Sequence, residues 1–390
     1  MGYQHQPPSK DGASTPPRIL LLYHCRANTG YAIETLEKIF WEMALKITGD
    51  PRNIFLCYPS YSHGYPTYAP STFSNYIEFD PTTKEKTELD RFGNFIHENK
   101  INIIFGFDQP PKRSYYKIAR RSGINKIVSY WGAPMSSLNY GIKLLLKKIE
   151  ISLYPSQPDL YIFESKAMQE SAYKGRGIPI SHTAVCHLGI DTSKYKPKKE
   201  DQFYAHDQLF IDKSQKLVFY SGHFEKRKGV DVIVQAANKI TKERDDISFI
   251  LFGNQPGEER PYEELLSNKA KKHVFFGGYR RDLNKLHRSC YAGVIASTGW
   301  DSFTVSSLEM QASGLPLMVS DLPGLNEAIE DEVTGFKFPA LDYNALANKL
   351  IKLADNPRLQ NEMAQNAVER ISQQFSQEKQ IENLKRLATV

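Results

Sequence analysis

Short, continuous apolar runs recur along the first half of the chain, each followed by a helical pattern. They are "RILLLY" (18–23), "NIFLCY" (53–58), "INIIFGF" (101–107), "KIVSYW" (126–131) and "LYIFES" (160–165). A strand that is apolar on both faces must be covered on both faces, so such runs separated by helices predict a parallel sheet with helices above and below it. After the first run, Ile33, Leu36, Phe40, Met43, Ala44 and Ile47 make a stripe at helical spacing. The polar, charged segment "KPKKEDQFYAHDQLFIDKSQ" (196–215) interrupts the pattern and reads as a linker. A second series then begins with "KLVFYSG" (216–222), "ISFILFG" (247–253), "HVFFGG" (273–278), "AGVIAS" (292–297) and "LPLMVSD" (315–321), again with helical patterns between. From about residue 343 the chain reads as helical and amphipathic. The expected fold class is α/β, with two doubly wound, Rossmann-like domains in tandem. The expected boundaries are a disordered tail over 1–17, an N-terminal domain over 18–195, the linker over 196–215, a C-terminal domain over 216–370 and a last helix over 371–390 that can cross back to the N-terminal domain.

In doubly wound sheets ligands sit at the carboxyl ends of the strands, so two such domains facing each other predict a site in the cleft between them. Composition limits what that ligand is. With 50 Lys and Arg against 44 Asp and Glu, the net charge of +6 is mildly basic. That falls short of the clustered excess of a nucleic-acid binder and suits an anionic ligand or an acidic membrane face. The four cysteines (Cys25, Cys57, Cys186, Cys290) are scattered without a C-x-x-C pair, which argues against a disulfide framework or a zinc cluster and for a cytoplasmic setting. The start, "MGYQHQPPSKDGASTPP", lacks the apolar centre of a signal peptide, and Gln6 stands where a myristoylation signal needs Ser or Thr. No run of 18 apolar residues is present, so no membrane span is expected.

Two strand ends carry the chemistry. After Gly222 comes "HFEKRKGVDVIVQAA", where His223, Lys226, Arg227 and Lys228 precede a helix expected to start near Val230. Cations at a strand–helix turn suit a diphosphate through charge-assisted hydrogen bonds, although a bare K-R-K run is also what a solvated loop looks like. After "AGVIAS" comes "TGWDSFTVSSLEMQASGLP" (298–316), with Phe303, Thr304 and Val305 expected as the first turn of a helix that stops at Gly314 and Pro316. Free backbone N–H groups at such a start form an anion site without any side-chain charge. Val305, Leu308 and Ala312 make the buried stripe, and Glu309 borders it, so its carboxyl needs a partner such as a pair of sugar hydroxyls or an internal cation. Asp301 by spacing alone is either a helix cap or a ligand.

From about 215 to 340 the chain resembles the donor domain of retaining glycosyltransferases of family four, which have the GT-B fold. "SGHFEKRKGVD" resembles that family's G-R-x-x-x-E-K-G turn, and "DSFTVSSLEMQASGLPLMVSDLPGLNEAI" its E-x-F-G-x-x-x-x-E motif with the following helix and strand. "DEVTGF", with Gly335, resembles the closing turn, and "VCHLGIDTSKYKP" (185–197) the passage between domains. The resemblance implies a nucleotide-sugar donor, UDP-linked, as co-substrate and no other cofactor. It implies a glycan, glycolipid or lipid-linked acceptor in polysaccharide or glycoconjugate synthesis. Carried over by position, Lys228 neutralises the donor diphosphate, Glu309 binds the ribose hydroxyls and Asp301 lies against the donor sugar. Phe303 to Val305 offer backbone N–H groups to phosphates and sugar. Backbone around Tyr279 and Arg280 meets the base with Gly253 nearby, and Gly30 in "HCRANTGYAIE" approaches the donor phosphate.

The chain departs from the family pattern at four positions. His223 replaces an arginine, which shifts leaving-group charge towards Arg227 or makes it depend on pH. Asp301 replaces a glutamate and Thr304 a glycine, which shortens one reach and narrows the donor pocket. Trp131 stands where the family often has a histidine; it stacks on sugars but is no base. Asp108, in "FGFDQPP", is then the nearest candidate to bind an acceptor hydroxyl. The absence of a D-x-D tripeptide predicts transfer without a metal, with cations and the helix start carrying the leaving-group charge. The segment "GIKLLLKKIEISLY" (141–154) is apolar and basic and reads either as an ordinary packed helix or as a peripheral contact with the inner membrane face. The alternatives to a retaining hexosyltransferase are a nucleotide-sugar epimerase of the same fold and a catalytically inactive sugar-nucleotide sensor.

Overall fold

The computed structural model describes residues 16–389, so most of the tail expected over 1–17 lies outside the described residues. Among the described residues thirteen strands are formed. The first seven are β1 (Ile19–Leu22), β2 (Ile54–Tyr58), β3 (Tyr76–Glu78), β4 (Ile103–Phe107), β5 (Lys126–Trp131), β6 (Leu160–Phe163) and β7 (Thr183–Val185). They form one sheet in the order β3-β2-β1-β4-β5-β6-β7. The other six are β8 (Lys216–Ser221), β9 (Ile247–Phe252), β10 (Val274–Phe276), β11 (Ala292–Ile295), β12 (Leu317–Ser320) and β13 (Gly335–Phe338). Their order is β10-β9-β8-β11-β12-β13. The pairings of β1 with β2 and β4, β2 with β3, β4 with β5, β8 with β9 and β11, β9 with β10, and β12 with β11 and β13 are parallel. Helices separate most of the strands in both series, β2 running to β3 without one and β12 to β13 through a single 3-10 turn, and the two doubly wound sheets have the GT-B arrangement.

The double-faced apolar runs are explained by what each face touches. Along β8, Val218 and Tyr220 pack with Ile233, Ala237 and Ile240 of the helix Val230–Glu243 and with Leu346 and Leu350 of the helix Tyr343–Ala354. Leu217 and Phe219 face the other way, into a cluster with Ala205, Ile211, Leu286 and Met310. Burying a Leu or Phe side chain of this kind contributes about 2 kcal/mol, so both faces matter. The second cluster contains Ala205 and Ile211 from the stretch read as a linker. That stretch carries a 3-10 turn (Lys199–Asp201) and a helix (Tyr204–Leu209), and it packs under the second sheet.

The chain groups into two compact units. One runs to Tyr130 and also takes Tyr154–Tyr161 and the chain from Lys385 onwards; the other comprises Trp131–Leu153 and Ile162–Leu384. No helix among the described residues is long and apolar enough to cross a membrane. All four cysteines are free thiols.

Each sheet has one point where the winding reverses. In the first, β1 lies between β2 and β4, with Ile19 opposite both Ile54 and Ile103. In the second, β8 lies between β9 and β11, with Val218 opposite Phe249 and Ala292. The loops leaving adjacent strands on either side of such a point part from one another and leave a crevice. The loops after β8 and β11 are the two that carry the charged motifs.

Candidate functional site

The turn after β8 is built around Gly229. Lys226–Lys228 form one 3-10 turn, closed by the Gly229 N–H on the Lys226 carbonyl (3.2 Å), and Gly229 takes φ +68°. A Cβ on Gly229 would sit 1.8 Å from the Ala296 carbonyl oxygen at the end of β11. Only glycine permits both the left-handed turn and that approach. The turn is tied to the loop after β11 by the Thr298 N–H on the Arg227 carbonyl (2.8 Å). Two segments remote in sequence thereby become one surface.

On that surface the Lys228 ammonium meets Asp301 at 2.8 Å, the two side chains being 18% and 7% exposed. Asp301 also accepts from the Ser297 hydroxyl at Oδ2 (2.6 Å) and from the Ser302 N–H at Oδ1 (3.2 Å). A carboxylate this deeply placed is tolerated because each oxygen has a donor. The cap reading of Asp301 is corrected here. The helix begins at Val305, not Phe303, and its cap is Thr304, whose hydroxyl accepts from the Ser307 N–H. Thr304 thus takes the position offered to Asp301, because a cap sits directly before the first helical residue. The Phe303 side chain turns into the core, 1% exposed, against the rings of His187 (4.8 Å) and Phe375 (5.1 Å).

Glu309, in the middle of the helix Val305–Ala312, is buried. Burial pushes its carboxyl above the usual carboxylate range, and a hydrogen bond from Tyr195 and the charge of Lys194 oppose that shift. Its internal partner is therefore a phenol, with a cation acting through its field.

The remaining residues named from the sequence fall as follows. Arg227 pairs with Glu225 (2.8 Å) and reaches the Trp300 carbonyl (3.3 Å), while His223 is exposed. Gly222 and Gly253 touch across adjacent strand ends: a Cβ on Gly253 would lie 2.3 Å from the Gly222 carbonyl oxygen. Tyr279 is exposed beside a cavity of about 690 Å³ lined in part by Asn254, Gln255, Glu259 and Gly278. The Arg280 guanidinium is committed to Asp282 (2.8 Å), which leaves its backbone as the part available to a ligand. In the other unit Gly30 precedes the helix Tyr31–Thr48 without any side-chain cap, and its Cβ position is open. Asp108 adopts φ +51° directly after β4, a left-handed conformation that aspartate tolerates better than most residues. The Trp131 indole N–H is buried with no acceptor among the described residues.

Residues not singled out from the sequence complete the site. Ser297 and Gly229 hold Asp301 and Lys228; both lie at strand or turn ends, where position alone would have raised them. Tyr195 is far from Glu309 along the chain, so no spacing pointed to it. Glu327 receives the Lys166 (3.0 Å) and Ala167 (3.1 Å) N–H groups at the start of the helix Lys166–Glu170, and it meets His187 at 3.3 Å. Burial works to raise the Glu327 carboxyl, but these donors outweigh it and hold the group below the usual range.

Residues 201–370 match the family described as glycosyl transferases group 1. The lipopolysaccharide core biosynthesis mannosyltransferase LpsB of Rhizobium meliloti is 26% identical over 211 residues, 52% of this chain and 59% of its own length. The chain spans about half the length of several curated relatives it matches. Among solved structures, a glycosyltransferase from Rickettsia africae superposes with a TM-score of 0.78 at 17% identity, over 96% of this chain and 98% of its own. Anabaena HepE, solved in complex with UDP, does so with 0.73 at 16% identity, over 96% of this chain and 100% of its own. These two likenesses define the fold as GT-B.

Proposed function

We propose that this chain moves a hexosyl group from a nucleotide sugar, UDP-linked, to a glycan, glycolipid or lipid-linked acceptor, with retention of anomeric configuration and without a metal. The observation that carries the reading is the Lys228–Asp301 pair where the winding of the second sheet reverses, directly before the start of the helix that buries Glu309. An ammonium has three donors, and Asp301 takes one, so Lys228 keeps two for a diphosphate. Asp301 Oδ2 is saturated by Lys228 and Ser297, whereas Oδ1 accepts only from Ser302 and retains a lone pair for a sugar hydroxyl. Backbone N–H groups at the helix start add positive potential where leaving-group charge develops.

Glu309, with its single phenol partner, suits the ribose hydroxyls, which both donate and accept. The backbone at Tyr279 and Arg280, beside the cavity, suits the base. Arg227 and His223 supply further positive or polar groups at the turn. In the other unit, Gly30 leaves a helix start open to a phosphate, and Asp108 offers a carboxylate to an acceptor hydroxyl. The orphan indole N–H of Trp131 supports an acceptor contact. Front-face transfer, with the departing phosphate oxygen taking the acceptor's proton, needs no enzymic nucleophile or base, so tryptophan in place of histidine is compatible with it. The UDP bound to HepE and the mannosyl transfer ascribed to LpsB support the class of donor and reaction.

The test is a thermal-shift screen of UDP, GDP, ADP and their sugars, since a ligand of the native state raises its melting point. UDP and a UDP-hexose are expected to give the largest shifts. Product anomer by NMR, with activity unchanged in a chelator, then checks retention and metal independence. Donor epimerised without acceptor would favour an epimerase. Binding without hydrolysis or transfer would favour a sensor. No shift with any nucleotide would end the reading.

A further inference from the structure

The free edge of the first sheet carries an open groove of about 730 Å³, lined by none of the residues named above for donor or acceptor. One wall is the edge strand β3, through Tyr76 and Glu78; the other is one face of the helix Lys86–Glu98, with Thr87, Asp90, Asn94 and Glu98. Those four helix positions lie three or four residues apart and therefore line up along the groove. Their side chains are exposed and make no hydrogen bond or ion pair among the described residues. Aromatic surface stands beside them. The Tyr76 ring lies 4.4 Å from that of Tyr65, which is 61% exposed. Tyr65 is nevertheless held in place. The Asn28 amide donates to the His63, Gly64 and Tyr65 carbonyls (3.0, 3.2 and 3.2 Å). Tyr61, its ring 5.0 Å from that of Tyr65, is fixed by its hydroxyl on the Leu56 carbonyl (2.8 Å). An aromatic ring that is both immobilised and exposed loses little entropy on meeting a ligand.

The edge itself does not suit another strand. Tyr76 and Glu78 turn their backbone groups away from β2, and two of those four groups are taken. The Tyr76 N–H donates to the Ser74 carbonyl (2.9 Å), and the Glu78 carbonyl accepts from the Arg91 guanidinium (2.7 Å). Arg91 is also paired with Glu88 (2.6 Å), so Glu78, Asp90 and Glu98 leave the groove negative and repel an anionic ligand. What remains is an aromatic face beside unengaged carboxylate, amide and hydroxyl groups. Sugar rings match both features, because their C–H faces are apolar and their hydroxyls donate to carboxylates and bond amides in either sense. We propose that this groove binds an uncharged stretch of glycan, with a sugar face on Tyr65 and sugar hydroxyls on Asp90 and Asn94. Asn28 lies two residues before Gly30 on the loop leaving β1, so one loop braces the aromatic ring and borders the crevice of the first sheet. β3 is two strands from β1, about 10 Å away at the usual strand spacing, a distance that a few linked sugars span. On the glycosyltransferase reading the groove is a distal subsite that retains a growing acceptor chain. Glycan binding itself does not depend on that reading.

The test is a saturation-transfer NMR titration of the full-length chain with maltohexaose, cellohexaose and a mannohexaose, and with a galacturonic acid hexamer as the anionic comparison. At least one uncharged hexasaccharide is expected to bind, and Tyr65→Ala to weaken it about tenfold. Asp90→Ala and Asn94→Ala are each expected to weaken it about fivefold. These side chains are exposed, and an unchanged melting temperature confirms that the variants fold. No binding of any uncharged hexasaccharide, or binding that the variants leave unaltered, overturns the proposal. So does equal binding of the galacturonate, because the carboxylates then do not govern the choice of ligand. A dimer in sedimentation velocity that Tyr65→Ala dissolves also overturns it, since the surface then belongs to a second copy. Glycan binding without any response to nucleotides leaves the groove standing and ends only the glycosyltransferase reading; a nucleotide response without glycan binding does the reverse.

Discussion

The two points of winding reversal present buried carboxyl groups in opposite company. In the second sheet, Asp301 has an ammonium at 2.8 Å, a hydroxyl and a backbone N–H. In the first sheet, Glu37 is fully buried and has phenols for company. The Tyr58 hydroxyl donates to its Oε1 at 2.8 Å, the Tyr68 hydroxyl lies 2.8 Å from that of Tyr58, and Tyr23 stacks on Tyr58 with ring centroids 4.5 Å apart. Its Oε2 has no partner among the described residues. Burial with only a phenol donor pushes the Glu37 carboxyl up to about 7. Glu309 lies between the two cases, with one phenol and a lysine's field. Depth alone therefore does not decide what a carboxyl does; the donors brought by neighbouring strand ends decide it.

The contrast is broken most severely at Lys228. Lys228→Ala removes the cation proposed for the diphosphate and leaves Asp301 without its charge partner. Transfer is expected to fall about 1,000-fold, measured as kcat/KM, and stability by about 2 kcal/mol. Adding Asp301→Asn should recover much of the stability but none of the transfer. Recovery of both would mean that the pair is purely structural.

Gly229→Ala attacks the support instead of the charges. A methyl group 1.8 Å from the Ala296 carbonyl, on a left-handed residue, forces the turn away from β11. The expected cost is about 3 kcal/mol in urea unfolding. A cost near zero would mean that the turn is free to move and does not hold Lys228 in place.

Glu37 sharpens the comparison through pH. Its folded value of about 7 lies above the ordinary 4.5, so the native state holds the proton more tightly than the unfolded chain does. Its contribution is fully present below the ordinary value and is lost as pH rises through about 7. Glu37→Gln should flatten that fall by roughly 3 kcal/mol between the two limits, read from unfolding curves at successive pH values. Parallel curves for variant and wild type would show that Glu37 titrates normally.

The smallest effect is expected at Glu309, for which one pair of ribose hydrogen bonds is proposed. Glu309→Gln should weaken UDP about tenfold by calorimetry with little change in melting temperature. Unchanged affinity would remove the ribose role.

Ten apolar runs predicted ten strands, and each has one. The three strands with no matching run are β3, β7 and β13, all at sheet edges. An edge strand can be covered on fewer sides, which weakens the double-faced apolar signal: β3 reads half-buried, buried, exposed, and β7 is half-buried throughout, whereas β10, also at an edge, keeps an apolar run. The linker reading failed for a related reason. Its charges face outward, while only Ala205, His206 and Ile211 turn inward, too few to interrupt a polar pattern.

The chain by itself determined the fold class, because strands covered on both faces must be apolar along their length, and it placed Lys228, Asp301 and Glu309 at strand ends and on one short helix. Which neighbours those groups would meet was decided only in three dimensions. Lys228 and Asp301 are joined because β8 lies beside β11, Thr304 and not Asp301 caps the helix because it is the residue adjoining the first turn, and Glu309 is served by Tyr195 from a distant segment. Spacing along a chain reports which residues share an element; the partner of a buried charge depends on strand order and packing, which no local pattern encodes.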